Sequence, residues 1–125
     1  LRIDSSGNVL VKSAAGLGYG TGAGGQVTPV TSKSTAVTLN TPTGQITMHN
    51  AALAAGAEVG FGFNNSVMTS TDTLLVAPQG ALGAAYSTRV VIGTAGASIY
   101  VKNITAGSLS DAVILNFAII KGSVS

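Results

Sequence analysis

At 125 residues the chain has the size of one domain and enough length to bury a core. Only 8% of its residues are charged, six basic against four acidic for a formal net charge of +2, while 46% are hydrophobic. The basic residues stand singly, which argues against nucleic-acid binding; the lack of cysteine excludes disulfides and thiolate chemistry; no apolar run of about eighteen residues offers a membrane span. Low charge with abundant Ser and Thr suits a β protein partly covered by its neighbours. The chain begins at Leu1 without a signal-peptide pattern, so we expect a processed chain or an excised fragment.

The opening "LRIDSSGNVLVK" predicts two short strands around a Ser6-Gly7-Asn8 turn. Next comes "GLGYGTGAGGQV" at 16–27, with six glycines in twelve positions. Gly20, Gly22 and Gly25 spell a G-x-G-x-x-G, but the segment after it is β-branched and broken by Pro29. No acidic residue stands between Asp4 and Glu58, and Gln26 occupies the place of a P-loop lysine. The nucleotide reading fails, and residues 1–33 read as an extended arm with a glycine-rich connector. Tyr19, the bulky residue among the glycines, is expected to anchor that connector against a neighbouring surface.

From residue 34 to 125 the pattern is that of one β-sandwich. "TAVTL" and "QITMH" alternate around "NTPTG" and predict a hairpin; "NAALAAGA" predicts a short helical turn ended by Gly56. "AEVGFGFNN" puts Val59, Phe61 and Phe63 on one face. "TLLVAP", "YSTRVVIGT" and "ASIYVKNI" are further strands, the last with Ile99 and Val101 inward and Tyr100 and Lys102 outward. "TAG" at 94–96 and 105–107 fits successive turns of a meander. In "DAVILNFAIIKG", Val113, Leu115, Phe117 and Ile119 form one apolar face, and Ile114, Asn116, Ala118 and Ile120 a second, mostly apolar one. A strand apolar on both sides is buried on both sides, which points to self-association through Ile114, Ala118 and Ile120. The expected fold is all-β: an antiparallel, jelly-roll-like sandwich behind a glycine-rich N-terminal arm, assembled as a homotrimer.

No catalytic set stands out. His49 is the single histidine and reads as a surface or interface residue, no G-x-S-x-G elbow is present, and Asp4, Glu58, Asp72 and Asp111 each stand alone. The sequence suggests no metal site and no cofactor. The remaining candidates lie in the loops 64–72 and 78–86. There Asn64, Asn65, Asp72, Gln79 and Tyr86 could present amides, a carboxylate and an aromatic plane to a sugar, or act simply as turn formers.

"LRIDSSGNVLV" resembles the hairpin units that recur in the shafts of bacteriophage tail fibres. "GLGYGTGAGGQVTPVTSKSTAVTLNTPTGQITM" and "SLSDAVILNFAIIKG" are similar to a C-terminal module of phage and prophage tail-appendage proteins. The resemblance implies a non-enzymatic, homotrimeric virion domain that assembles with other virion proteins and contacts a host surface polysaccharide or receptor. It carries over no catalytic residue. The alternatives are a capsid-decorating or other purely structural virion protein, and a secreted carbohydrate-binding module.

Overall fold

The computed structural model describes all 125 residues, Leu1–Ser125. The opening hairpin pairs Arg2–Ile3 (β1) with Val9–Leu10 (β2). Its turn is organised by Asp4, whose carboxylate accepts from the backbone N–H of Ser6 and Asn8 and from the Asn8 amide, each at 2.9 Å. Those bonds, led by the Asn8 side chain, hold the Asp4 carboxyl below its ordinary pKa.

Two four-stranded sheets follow. Gly24–Val27 (β3), Thr43–Thr47 (β5), Thr73–Pro78 (β7) and Ile114–Ile120 (β10) form one, in the order β3-β5-β10-β7. Val37–Thr38 (β4), Glu58–Asn64 (β6), Tyr86–Ile92 (β8) and Gly96–Asn103 (β9) form the other, in the order β4-β6-β9-β8. The chain is therefore all-β and sandwich-like; its one helical element is the four-residue turn Gly80–Gly83 (α1). Apart from the β8–β9 hairpin, every step from β3 to β10 crosses from one sheet to the other.

The structure corrects four expectations. The sheets are mixed, because β3 pairs parallel with β5 and β4 parallel with β6. "NTPTG" does not close a hairpin: β4 and β5 belong to opposite sheets, and the turn carries the chain between them. The helical turn lies at 80–83 rather than 50–57, where the backbone is held instead by an antiparallel bridge between Leu53 and Leu109. Nor is there a meander: "TAG" at 94–96 leads the β8–β9 hairpin into β9, whereas 105–107 follows β9 into the crossover to β10.

The glycine-rich stretch contributes a strand of its own, since Gly24–Val27 is the edge of the first sheet and lies inside the expected arm. Close approach explains the glycine facing it. A Cβ on Gly44 would stand 2.4 Å from the Gly25 carbonyl oxygen and 3.1 Å from Phe117 Cε1.

The inward residues read from the period of two fill the space between the sheets. Phe61, Phe63, Ile99, Val101, Val113, Leu115, Phe117 and Ile119 are all buried, joined by Ile46 and Met48. Phe63 and Phe117 meet edge-to-face across the layers, with ring centroids 4.9 Å apart. Burial of each such side chain is worth about 1.5–3 kcal/mol. The four buried polar or charged residues, Lys33, Asn65, Asp72 and Asn103, all find hydrogen-bond partners.

Candidate functional site

The residues expected to bind a sugar do not converge. Asn64, Asn65 and Asp72 sit where β6 passes into β7, while Gln79 and Tyr86 lie beyond the other end of β7. Six residues of β7 separate the groups, about 20 Å of extended chain. Three of the five are engaged in holding loops. Asn65, buried, donates from Nδ2 to the Thr41 carbonyl at 2.8 Å and accepts from the Val67 N–H at 2.9 Å. It ties the 40–44 crossover to the loop after β6.

Asp72 is the centre of a clasp at the same end. Its carboxylate accepts from Lys121 Nζ at 2.5 Å, from the Thr69 N–H at 2.8 Å and from the Gly122 N–H at 3.0 Å. The Lys121 ammonium is the main reason its carboxyl is held far below the usual range, with the two backbone donors adding to the effect. Tyr86, at the other end, is buried and donates to Asp111 Oδ2 at 2.9 Å. Burial first, and then that bond, push its phenol up to about 12.

Two further polar residues are spent in the same way. Lys33, buried, donates from Nζ to the carbonyls of His49 and Asp111, and burial lowers its pKa. His49 accepts the Ala51 N–H on Nδ1 at 3.0 Å. Polar groups at both ends of the sandwich are thus committed to loop backbone.

The outer faces of the two sheets differ in kind. On the β4-β6-β9-β8 face, Arg89 bonds Glu58 at 2.8 Å and lies 3.9 Å over the Tyr100 ring. The ring rests on Gly60, where a Cβ would stand 2.6 Å from it. Lys102 points out of the same face, beside Glu58 and Ser87. Both sides of the Tyr100 ring are covered, which removes it as a platform for a sugar.

On the opposite face, the strands β3, β5, β10 and β7 hold none of the six basic and four acidic residues, and Lys121 borders the face just beyond β10. Register aligns Gln26, Gln45 and Asn116 across three strands. Gln45 Nε2 donates to Asn116 Oδ1 at 3.0 Å and to Gln79 Oε1 at 3.1 Å, and Gln26 Nε2 reaches Gln45 Oε1 at 3.4 Å. Of the five candidates, then, Gln79 joins an amide row. Asn64 stays exposed at the end of β6, 3.5 Å from the Thr38 hydroxyl.

Apolar groups flank the row. Ile114 and Ala118 are half-buried there, and Leu75 and Ile120 are 52% and 56% exposed. Tyr19 rests on the same sheet of its own chain. Its hydroxyl donates to the Ile119 carbonyl, and with Leu17, Leu75, Ala118, Ile120 and Lys121 it frames an open hollow of about 460 Å³.

Sequence reading singled out Ile114, Ala118, Ile120 and Tyr19, which lie on or against this sheet, but missed Gln26 and Gln45 and gave Asn116 no role. Gln45 and Asn116 both alternate with inward apolar residues, which marks them as outward; their alignment depends on a register that local pattern does not encode. A scan against protein-family models found no match, and searches of curated proteins and of solved structures found none either.

Proposed function

We propose that the chain is a non-enzymatic structural domain of a bacteriophage tail fibre or tail appendage, a homotrimeric, jelly-roll-like module that serves assembly of the virion. The observation that carries this reading is the N-terminal hairpin. It pairs only with itself, and Leu1, Ile3, Val9 and Leu10 are exposed at 92%, 67%, 58% and 45%. A lone two-stranded hairpin is marginal in water, so this one gains its stability from neighbouring copies or adjoining fibre segments. The likeness of "LRIDSSGNVLV" to fibre-shaft hairpins supports the same reading.

Attachment to a host polysaccharide draws less support than assembly, because Asn65, Asp72 and Tyr86 are committed to internal bonds. Immunogold labelling of virions with antibodies against the folded domain tests the proposal. Gold on tails or fibres is the expected result. Gold spread over the capsid would transfer the chain to the capsid-decorating alternative, and secreted protein without labelled particles would favour the carbohydrate-binding module.

A further inference from the structure

We propose that the uncharged outer face of the β3-β5-β10-β7 sheet binds a second copy of this chain, with the amide row Gln26–Gln45–Asn116–Gln79 setting the register. The inference rests on the assembly reading and names the surface that performs it. Three observations select a copy of the same chain as the occupant.

The first is electrostatic. A face without ionised groups meets itself without like-charge repulsion and offers nothing to a partner of complementary charge. Glu58, Arg89 and Lys102 are gathered on the other sheet, and Lys121, the one charged residue lining the hollow just beyond β10, is paired with Asp72.

The second is the chemistry of the row. Every amide carries donors and an acceptor, so a line of amides is its own complement. Within one chain Gln45 is nearly satisfied, whereas Asn116 Nδ2, Gln79 Nε2 and Gln26 Oε1 are left facing outward without a partner from their own chain. A polar row in an apolar surround also penalises misaligned pairings, as a buried asparagine does in coiled coils.

The third is continuity. Leu75, Ile120 and Ala118 border the row, and the hollow they frame is completed by Leu17, 84% exposed, and Tyr19 from the arm. A copy seated on the sheet would therefore cover the connector that leads to the apolar hairpin. One surface thus runs from the exposed Leu75 and Ile120 to the arm that carries the apolar hairpin.

Sedimentation velocity on the full chain at micromolar concentration tests this, with circular dichroism to verify folding. Gln45→Glu and Ala77→Glu each place a carboxylate on the face in every copy and should weaken association about a hundredfold, giving folded monomers. Ser87→Glu, on the outer face of the other sheet, should sediment as the wild type does. Ala77 is exposed, so Ala77→Glu decides the matter if Gln45→Glu fails to fold. A wild-type oligomer that survives both face variants, or that Ser87→Glu dissociates, overturns the inference and leaves the assembly reading standing. A wild type that stays monomeric overturns both.

Discussion

Adjacent asparagines give the sharpest check on the division between loop-holding and free polar residues. Asn65→Ala removes the bonds to the Thr41 carbonyl and the Val67 N–H, and neither backbone group has another hydrogen-bond partner within the protein. An orphaned polar group costs about 1–3 kcal/mol, with the lower end applying where water can reach it. Thr41 and Val67 are half-buried, so the expected loss is about 2–4 kcal/mol. Asn64→Ala gives up one bond of 3.5 Å at an exposed position and should cost under about 0.5 kcal/mol.

Urea unfolding at one fixed protein concentration measures both variants, since self-association would otherwise shift the midpoint by mass action. With an unfolding entropy of about 2.1 cal/mol/K per residue, a 3 kcal/mol loss also lowers Tm by about 10 °C. Equal effects of the two substitutions, or an Asn65→Ala midpoint close to that of the wild type, would refute the assignment of Asn65 to loop anchoring and return it to the set of free ligand candidates.

Gly44→Ala should cost about 1–3 kcal/mol and speed amide exchange at Gln26 and Val27, because its Cβ would push the β3 backbone away from β5. Unchanged exchange there would show that the edge strand does not need that approach. Tyr86 keeps its proton in the fold up to about 12, whereas in the unfolded chain it ionises near 10. Its contribution is thus complete below pH ~10 and lost as pH rises toward 12, and Tyr86→Phe should lack that alkaline decline in stability. Asp72 behaves in the opposite sense. Its folded carboxyl is held below the unfolded value of about 3.9, so its stabilisation is present above that pH and lost on acidification. The advantage of the wild type over Lys121→Met should therefore shrink as pH falls below ~4; an advantage that persists undiminished there would place the role of Lys121 outside the clasp.

The reach of the sequence can be read residue by residue. Alternation marked Phe61, Phe63, Ile99, Val101, Leu115 and Phe117 as inward, and all are buried. The same alternation marked Ile114, Ala118 and Ile120 as a second face, which lies on the outside of a sheet. By contrast, the sequence offered Asn65 and Asp72 as turn formers without their bonding partners and gave Asn103 no role. Asn103 donates to the carbonyls of Leu53 and Gly107 at 2.9 and 2.8 Å, partners 50 and 4 positions away. A polar side chain takes its role from whichever backbone groups the loops leave unpaired, and those come from distant segments.

Taken alone, the sequence determined the β class and the inward faces of β6, β9 and β10, because a period of two is a local property of the backbone. It also determined the opening hairpin, because Gly7 adopts φ 81° in the turn that Asp4 closes. Only the tertiary structure decided that β3 pairs in parallel with β5 and β4 with β6, that consecutive strands other than β8 and β9 fall in opposite sheets, and that Gln26, Gln45 and Asn116 form one line. Alternation tells a strand which side to bury and says nothing about which strand lies beside it. Partner and register are set by contacts between residues dozens of positions apart.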